Sequence, residues 1–472
     1  MPPDEFRREA HRLVDWIADY LSRSERYPVL STVRPGDISR ELPSSPPEHG
    51  ENFDDILDDF ERVIVPGLTH WNHPGFFAYF AITGSAPGVL GEFLSAALNV
   101  QAMLWRTSPA ATELEEVALG WLRDLIHLPR EFEGVIYDTA SVSSLHALAA
   151  AREAAIPGVR AQGLSGRALP HLRVYCSDQA HSSIDKAVML LGLGHEALRK
   201  IPSDDEFRMR ADALSAAIDE DRTHGILPLA VVATVGTTST TSIDPVPEIA
   251  SIAQREHLWL HVDAAYAGVA AMVPGYEHVL AGAERADSLV VNPHKWLFTP
   301  FDLSAFYTRR MDIVRRAFSL TPEYLKTTEA GAVRNLMDTG VQLGRRFRAL
   351  KLWMILRYFG AEGIRARLAE HMRLARQFAG WVDADPNFER LAPVPFSVVC
   401  FRAHPRGVSE ARLDRLNEEL LSRVNATGEV FLSHTRLREK LTLRLAVGHI
   451  RTTEQHVARA LALLREQLAQ MS

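Results

Sequence analysis

The stretch Leu258-Trp259-Leu260-His261-Val262-Asp263-Ala264-Ala265-Tyr266-Ala267-Gly268 decides how the rest of the chain is read. Its first residues are bulky and apolar and read as a buried strand. A carboxylate, Asp263, stands at the strand's tip, and small residues follow it. Similar apolar runs occur at Val135-Ile136-Tyr137, Leu172-Arg173-Val174-Tyr175, Leu229 to Val235 and Ser288-Leu289-Val290-Val291, most of them separated by helical stretches. Apolar runs alternating with helices predict an α/β fold around a mostly parallel sheet covered on both faces. Ligands in such folds sit beyond the carboxyl ends of the strands, so the residues directly after each run are the first functional candidates.

Several of those positions carry chemistry. Val290-Val291-Asn292-Pro293-His294-Lys295-Trp296 places a lysine just past the next strand. A lysine in a dry cleft loses its proton easily and attacks carbonyls. A nearby carboxylate can hold a pyridinium proton, and the two together are what pyridoxal phosphate requires. A rim salt bridge would use the same pair of residues. Ser177-Asp178-Gln179-Ala180-His181-Ser182-Ser183 also follows a strand; Ser182 or Ser183 can cap the next helix and let His181 project over a ligand. The alternative is a histidine satisfied within a capping turn. Asp138-Thr139-Ala140-Ser141 puts hydroxyls at a helix start, where free N–H groups bind phosphate. Thr234-Val235-Gly236-Thr237-Thr238 closes another strand. Five such motifs at successive strand ends do not read as five independent caps.

The composition fits this picture. The chain has 472 residues, 52 basic against 59 acidic, for a net charge of −7. An acidic balance argues against non-specific nucleic-acid binding. Only Cys176 and Cys400 are present, which excludes a disulfide framework and a Cys-x-x-Cys site. There is no apolar signal-peptide core near the N-terminus and no run of 18 apolar residues, so a protein of the cytoplasm that does not enter membranes is expected.

Three regions are expected. Residues 1–84 form an N-terminal helical arm: Asp4 can cap a helix whose stripe is Phe6, Leu13, Trp16, Ile17, Tyr20 and Leu21, a face suited to a partner subunit. Residues 85–360 form the large α/β domain, and 361–472 a small α+β domain in the order helix, strand, strand, helix, strand, strand, helix. Residues 321–340 read as a loop serving as a lid, with Lys326 and Arg334 open to trypsin, and a helix is expected from Gly344 to Phe359.

Taken with Thr69-His70-Trp71-Asn72-His73-Pro74, Ser108-Pro109-Ala110-Ala111-Thr112-Glu113-Leu114-Glu115 and Leu343-Gly344-Arg345-Arg346-Phe347, the motifs at Asp178–Ser183, His261–Gly268 and Asn292–Trp296 carry a family resemblance. The chain resembles the pyridoxal-phosphate-dependent group II amino-acid decarboxylases, of the aromatic-L-amino-acid type, over essentially its whole length. The resemblance implies fold type I, the aspartate-aminotransferase-like architecture, and a homodimer with active sites at the interface. It implies decarboxylation of tryptophan, phenylalanine, tyrosine or dihydroxyphenylalanine to the arylalkylamine. Lys295 would carry the cofactor, Asp263 would pair with its ring nitrogen, His181 would stack on one ring face and Ala265 would lie against the other. Thr139, Ala140, Ser141, Ser288, Asn292 and His294 would hold the phosphate or its surroundings, and Thr237 would lie near the phenolic oxygen. Trp71, Tyr79, Phe80, Thr83 and Gly344 would border the substrate, and Tyr324 would bring the acid that protonates Cα.

The chain departs from the family pattern in places. It reads Thr139-Ala140-Ser141-Val142 where many animal members read Ser-Ala-Ser-Glu, keeping the hydroxyls. Phe80-Ala81-Ile82-Thr83-Gly84 is one residue longer than the animal pattern, and Gln101 and Met103 replace larger apolar or aromatic residues. In resembling plant enzymes, glycine at position 344 accompanies indolic substrates and serine phenolic ones. Four other readings compete. A non-catalytic dimer or binding protein on such a fold would be expected to lose the lysine or the aspartate, and Lys295 and Asp263 are both present. An aldehyde synthase of this family would typically replace Tyr324 by Phe or His181 by Asn. A nicotinamide oxidoreductase would want Gly-x-Gly-x-x-Gly, which Gly192-Leu193-Gly194 does not complete, and a zinc hydrolase would want His-Glu-x-x-His, absent around His70 and His73. A non-aromatic amino acid remains the alternative substrate.

Overall fold

The computed structural model describes residues 1–320 and 333–471. Tyr324 and Lys326 lie outside the described residues. Among these residues the strands are β1 Glu133–Tyr137, β2 Leu172–Ser177, β3 Leu198–Ile201, β4 Leu227–Thr234, β5 Trp259–Asp263, β6 Ser288–Val291, β7 Ser304–Thr308, β8 Phe388–Arg390, β9 Val398–Ala403, β10 Ser433–Leu437 and β11 Lys440–Ala446.

The chain packs as two compact units. The larger, residues 82–373 with 392–398, is built on a seven-stranded sheet in the order β1-β7-β6-β5-β4-β2-β3. The pairs β3–β2, β2–β4, β4–β5 and β5–β6 are parallel, whereas β7 runs antiparallel to both β6 and β1. β4, β5 and β6 are buried along nearly their whole length, as near-continuous apolar strands must be when helices cover both faces. The helix Ala140–Ala155 lies on the sheet with Ala147, Ala150 and Ala151 fully buried in one core with Val174, Val232 and Phe306. The α/β fold with a mostly parallel sheet is the one expected; β3 and β7 are strands that the apolar pattern did not announce.

The smaller unit joins residues 1–81 to 374–391 and 399–472. Its four-stranded sheet has the order β10-β11-β9-β8. The C-terminal order of helix, strand, strand, helix, strand, strand, helix matches the expectation. Backbone pairing explains why the first 81 residues belong here: Phe77 N–H donates to the Phe431 carbonyl at 2.8 Å, and Ala446 N–H to that of Phe77 at 2.9 Å.

Local details differ from the sequence reading. The first helix runs Pro3–Ser22, so Asp4 lies inside its first turn and does not cap it. The long helix begins at Ala349, not Gly344, and continues to Ala384 with a break at Gly360, whose φ of 62° suits glycine. The segment before it is tied elsewhere: the Arg345 N–H donates to Gln101 Oε1 at 2.7 Å, and the Arg345 carbonyl accepts from Ala102 at 2.9 Å. Arg334, expected to be open to trypsin, donates to the Gly134 carbonyl at 3.1 Å and lies 3.5 Å from Glu116. Among the described residues, no helix is long and apolar enough to cross a membrane.

Candidate active site

β5 and β6 deliver the two central groups side by side. They pair in parallel with Asp263 opposite Val290. The pairing outlasts the strands: Ala264 N–H donates to the Val290 carbonyl and Asn292 N–H to that of Ala265, both at 3.0 Å. Pro293 then opens a one-turn helix, Pro293–Trp296, that carries Lys295. Asp263 is buried, and its Oδ1 accepts the Ala265 N–H at 3.1 Å, which fixes the carboxylate's orientation. Burial lowers the Lys295 pKa below the ordinary ammonium range, and the Asp263 charge opposes that shift.

His181 follows β2. Its Nδ1 accepts the Ser183 N–H at 3.1 Å and lies 2.9 Å from the Ser183 hydroxyl. The ring therefore caps the helix Ser183–Leu190, and Ser182 makes no side-chain cap bond. With Nδ1 accepting, a neutral ring carries its proton on Nε2. Its pKa is lowered by burial first and by the Lys295 charge second, while Asp263 raises it. The three groups act on one another electrostatically, and the capping turn sets the orientation of the His181 ring.

The phosphate-type segment begins the helix Ala140–Ala155. Thr139 is its N-cap residue, and Asp138 Oδ1 accepts both the Thr139 N–H, at 2.6 Å, and its hydroxyl, at 3.1 Å. Val142 and Ser143 N–H groups return to the Thr139 carbonyl. The N–H groups of Ala140 and Ser141 precede any possible intrahelical acceptor, which leaves them for an anion. Ala140 shares a buried cluster with Ala265 and Val290, which sets this helix end against the Asp263 strand end.

Other expected site residues sit differently. Ser288 opens β6 rather than ending it; its buried hydroxyl accepts from Trp259 Nε1 and bonds His261 Nδ1, both at 2.9 Å. His294 is buried, with Nδ1 accepting the Leu303 N–H at 2.9 Å. Burial lowers its pKa to about 3. The Thr237 hydroxyl is buried in its own turn, 3.0 Å from that of Thr240 and accepting the Ser242 N–H at 2.9 Å, whereas neighbouring Thr238 is exposed. Nothing in the spacing of paired threonines tells which of them faces outward. Thr83 is buried in the larger unit. Gly344 lines a cavity of about 320 Å³ with Gln101, Asp138 and Arg345. In the smaller unit, Trp71 stacks on Phe76 and Tyr79 with centroids at 4.3 and 5.9 Å, and Arg444 lies 5.3 Å from the Phe80 ring centroid.

The residues present fit pyridoxal phosphate. They supply an amine of lowered pKa, a buried carboxylate and a helix start with N–H groups to spare. The buried Asn292 Oδ1 and Thr234 Oγ1, at the ends of β6 and β4, have no hydrogen-bond partner among the described residues. Among those residues there is also no cluster of His, Cys, Asp or Glu able to hold a metal.

Residues 35–404 match the pyridoxal-dependent decarboxylase conserved domain. The chain belongs to this family. As a pyridoxal-dependent decarboxylase it is a carboxy-lyase, and pyridoxal phosphate is its cofactor. It is 41% identical to phenylacetaldehyde synthase of Arabidopsis thaliana, over 99% of this chain and 96% of that protein. It is 40% identical to tryptophan decarboxylase 2 of Oryza sativa subsp. japonica, over 99% and 95%. Its fold matches the crystal structure of Oryza sativa TDC with PLP and tryptamine at a TM-score of 0.96, with 38% identity, covering 100% of this chain and 99% of that one. The decarboxylase is thus similar along its whole length both to an amine-forming enzyme and to an aldehyde-forming one.

Proposed function

We propose that this decarboxylase converts an aromatic L-amino acid, with tryptophan among those accepted, to the corresponding arylalkylamine and CO₂. The observation that carries the reading is the pairing of Asp263 and Lys295 at the ends of neighbouring parallel strands, within the electrostatic reach of His181. Bound pyridoxal phosphate supplies the sink for the electrons released when CO₂ leaves. Lys295 would supply the amine that holds the cofactor through its aldehyde carbon. Asp263 holds the proton on the ring nitrogen. Ala140 and Ser141 N–H groups, with Ser141 and Asn292 side chains, take the phosphate, and Thr139 shapes that cradle through its bonds to Asp138. Ala265 and His181 border the ring. Thr238, exposed beside the buried Thr237, is the candidate for the ring's phenolic oxygen, His294 stays in the phosphate's surroundings, and Ser288 supports the site through its bond to His261. Tyr324 returns a proton to Cα.

Aldehyde formation is the competing outcome, since an aldehyde synthase stands among the relatives. The chain retains Tyr324 and His181, the residues whose replacement goes with aldehyde formation in the resembling enzymes, and this favours the amine. A homodimer with the active sites at its interface, an enzyme of amine biosynthesis working in the cytoplasm, completes the reading. Apolar residues on two helices support self-association: Leu90, Phe93, Leu94 and Leu98 on Ala86–Leu98, and Phe6 and Val14 on Pro3–Ser22, are all exposed.

The test combines turnover with mapping. Tryptophan, phenylalanine, tyrosine, dihydroxyphenylalanine and glutamate are assayed for CO₂ and amine, and the protein is reduced with borohydride and digested. Amine from the aromatic substrates and a pyridoxyl label on Lys295 are expected, both lost in Lys295→Ala. Turnover of glutamate alone, or a label on another lysine, would overturn the reading.

A further inference from the structure

His261 lies two residues before Asp263 on β5, so both side chains leave the same face of the sheet. That face carries the helix Ala140–Ala155. His261 is fully buried and makes two side-chain bonds: Nε2 lies 3.1 Å from the Ser144 hydroxyl on that helix, and Nδ1 lies 2.9 Å from the Ser288 hydroxyl on β6. Trp259 Nε1 donates to the same Ser288 oxygen at 2.9 Å. A serine hydroxyl both donates and accepts, so both bonds form with the ring neutral. Burial favours that state, lowering the pKa to about 4.

Ser144 stands one turn behind Ala140 and Ser141 on the helix. Behind them the buried face of the helix is mostly small, with Ala147, Ala150 and Ala151 beside a single buried leucine, Leu148. Alanines offer little to interdigitate and so do little to fix how far the helix slides along the sheet. Two buried polar contacts stand at its start instead. One is Ser144 with His261 on β5; the other is Ser143 with Ser304 on β7, their hydroxyls 2.8 Å apart. Buried polar groups stay paired, so each contact holds only in one register.

We propose that His261 is a positioning residue whose bond to Ser144 sets the distance between the Ala140–Ser141 helix start and Asp263. The inference depends on the cofactor reading above, because those two places hold opposite ends of the same molecule, its phosphate and its ring nitrogen. Groups that grip a ligand at two ends must be held to within about half an ångström by bonds behind them.

The experiment compares pyridoxal phosphate with pyridoxal, which lacks the phosphate. The full-length protein is freed of cofactor, and dissociation constants for both are read from tryptophan fluorescence, with Tm measured alongside. Ser144→Ala should weaken pyridoxal phosphate about tenfold and leave pyridoxal within about twofold. His261→Leu should do the same or more. His261→Gln, which keeps a polar group near the Nε2 position, should recover most of the loss. Equal weakening of both ligands would mean a general loosening and overturn the proposal, as would unchanged affinity for both. If His261→Leu does not fold, Ser144→Ala decides alone. Failure of the unsubstituted protein to bind either compound would overturn the cofactor reading itself, a distinct result.

Discussion

Burial and charge pull on Lys295 in opposite directions: desolvation takes the proton off the amine, and Asp263 holds it on. The net lowering leaves an amine ready to react, which is why position rather than residue type made this site legible. A lysine and a carboxylate just past two apolar runs are brought together by any parallel pairing of those runs. Tyr324 has no such frame, and the role proposed for it, the acid that protonates Cα, rests on the resemblance alone. Tyr324→Phe removes that acid, so the carbon left by CO₂ waits longer for a proton and oxygen can react with it. Under air, the variant should turn a substantial part of its product from amine to aldehyde, with ammonia and peroxide. Unchanged amine yield without peroxide would assign the proton to another residue. Ser288 and Thr237 show the limit of reading by position. Which way each side chain turns is set by strand length or by a local turn: Ser288 begins its strand, and Thr237 closes a hydroxyl cluster.

Elements were legible where their pattern was strong. β4 and β5 are runs of large apolar residues, whereas β3, Leu198-Arg199-Lys200-Ile201, is apolar only at its ends, and β7, Ser304 to Thr308, lacks Val, Ile and Leu altogether. Both become strands because a paired neighbour offers them a ladder, a tertiary effect that local pattern does not carry. The helix expected from Gly344 fails for a similar reason. Arg345 is buried against Glu115 at 2.8 Å and donates to the Ile136 carbonyl at 2.7 Å, so the segment follows β1 and residues 101–102 instead of coiling. Gly344 therefore owes nothing to a helix start. A Cβ there would stand 3.1 Å from Gln101 Nε2, in the wall of the cavity it shares with Asp138. Gln101 has little room to yield, because its Oε1 holds the Arg345 N–H. Gly344→Ser should thus narrow this cavity and lower kcat/KM for tryptophan about tenfold more than for tyrosine or phenylalanine, on the scale of roughly 1–3 kcal/mol that one small group commands in a pocket. Equal losses for all three, measured by steady-state kinetics, would leave Gly344 without a part in selection.

At the scale of the whole molecule, the grouping of the first 81 residues with the C-terminal ones was hidden, because it depends on backbone pairing between Phe76–Phe77 and residues more than 350 positions away. The charge that the two units bury was also hidden, and it has a consequence for acid stability. Among the described residues, desolvation lowers the pKa of several buried histidines: His73 and His261 to about 4, His146 and His294 to about 3, and His70 in the same direction. A histidine whose folded pKa lies below its unfolded value of about 6.5 favours the fold fully above that pH. The unfolded chain then takes up protons that the folded one refuses, and stability falls as pH drops through the window from about 6.5 toward 4. Asp244 works the other way: burial raises its pKa to about 7, so its burial penalty is relieved as pH falls from there toward the usual carboxylate range. At pH 5.5 each of the first four histidines costs on the order of 1 kcal/mol, and Asp244 offsets about one or two of them, so the balance is a loss. Tm should therefore be lower at pH 5.5 than at pH 8, by a few degrees for a chain of this length. Calorimetry at saturating cofactor checks it, and a Tm that rises on acidification would show that Asp244, not the histidines, governs the response.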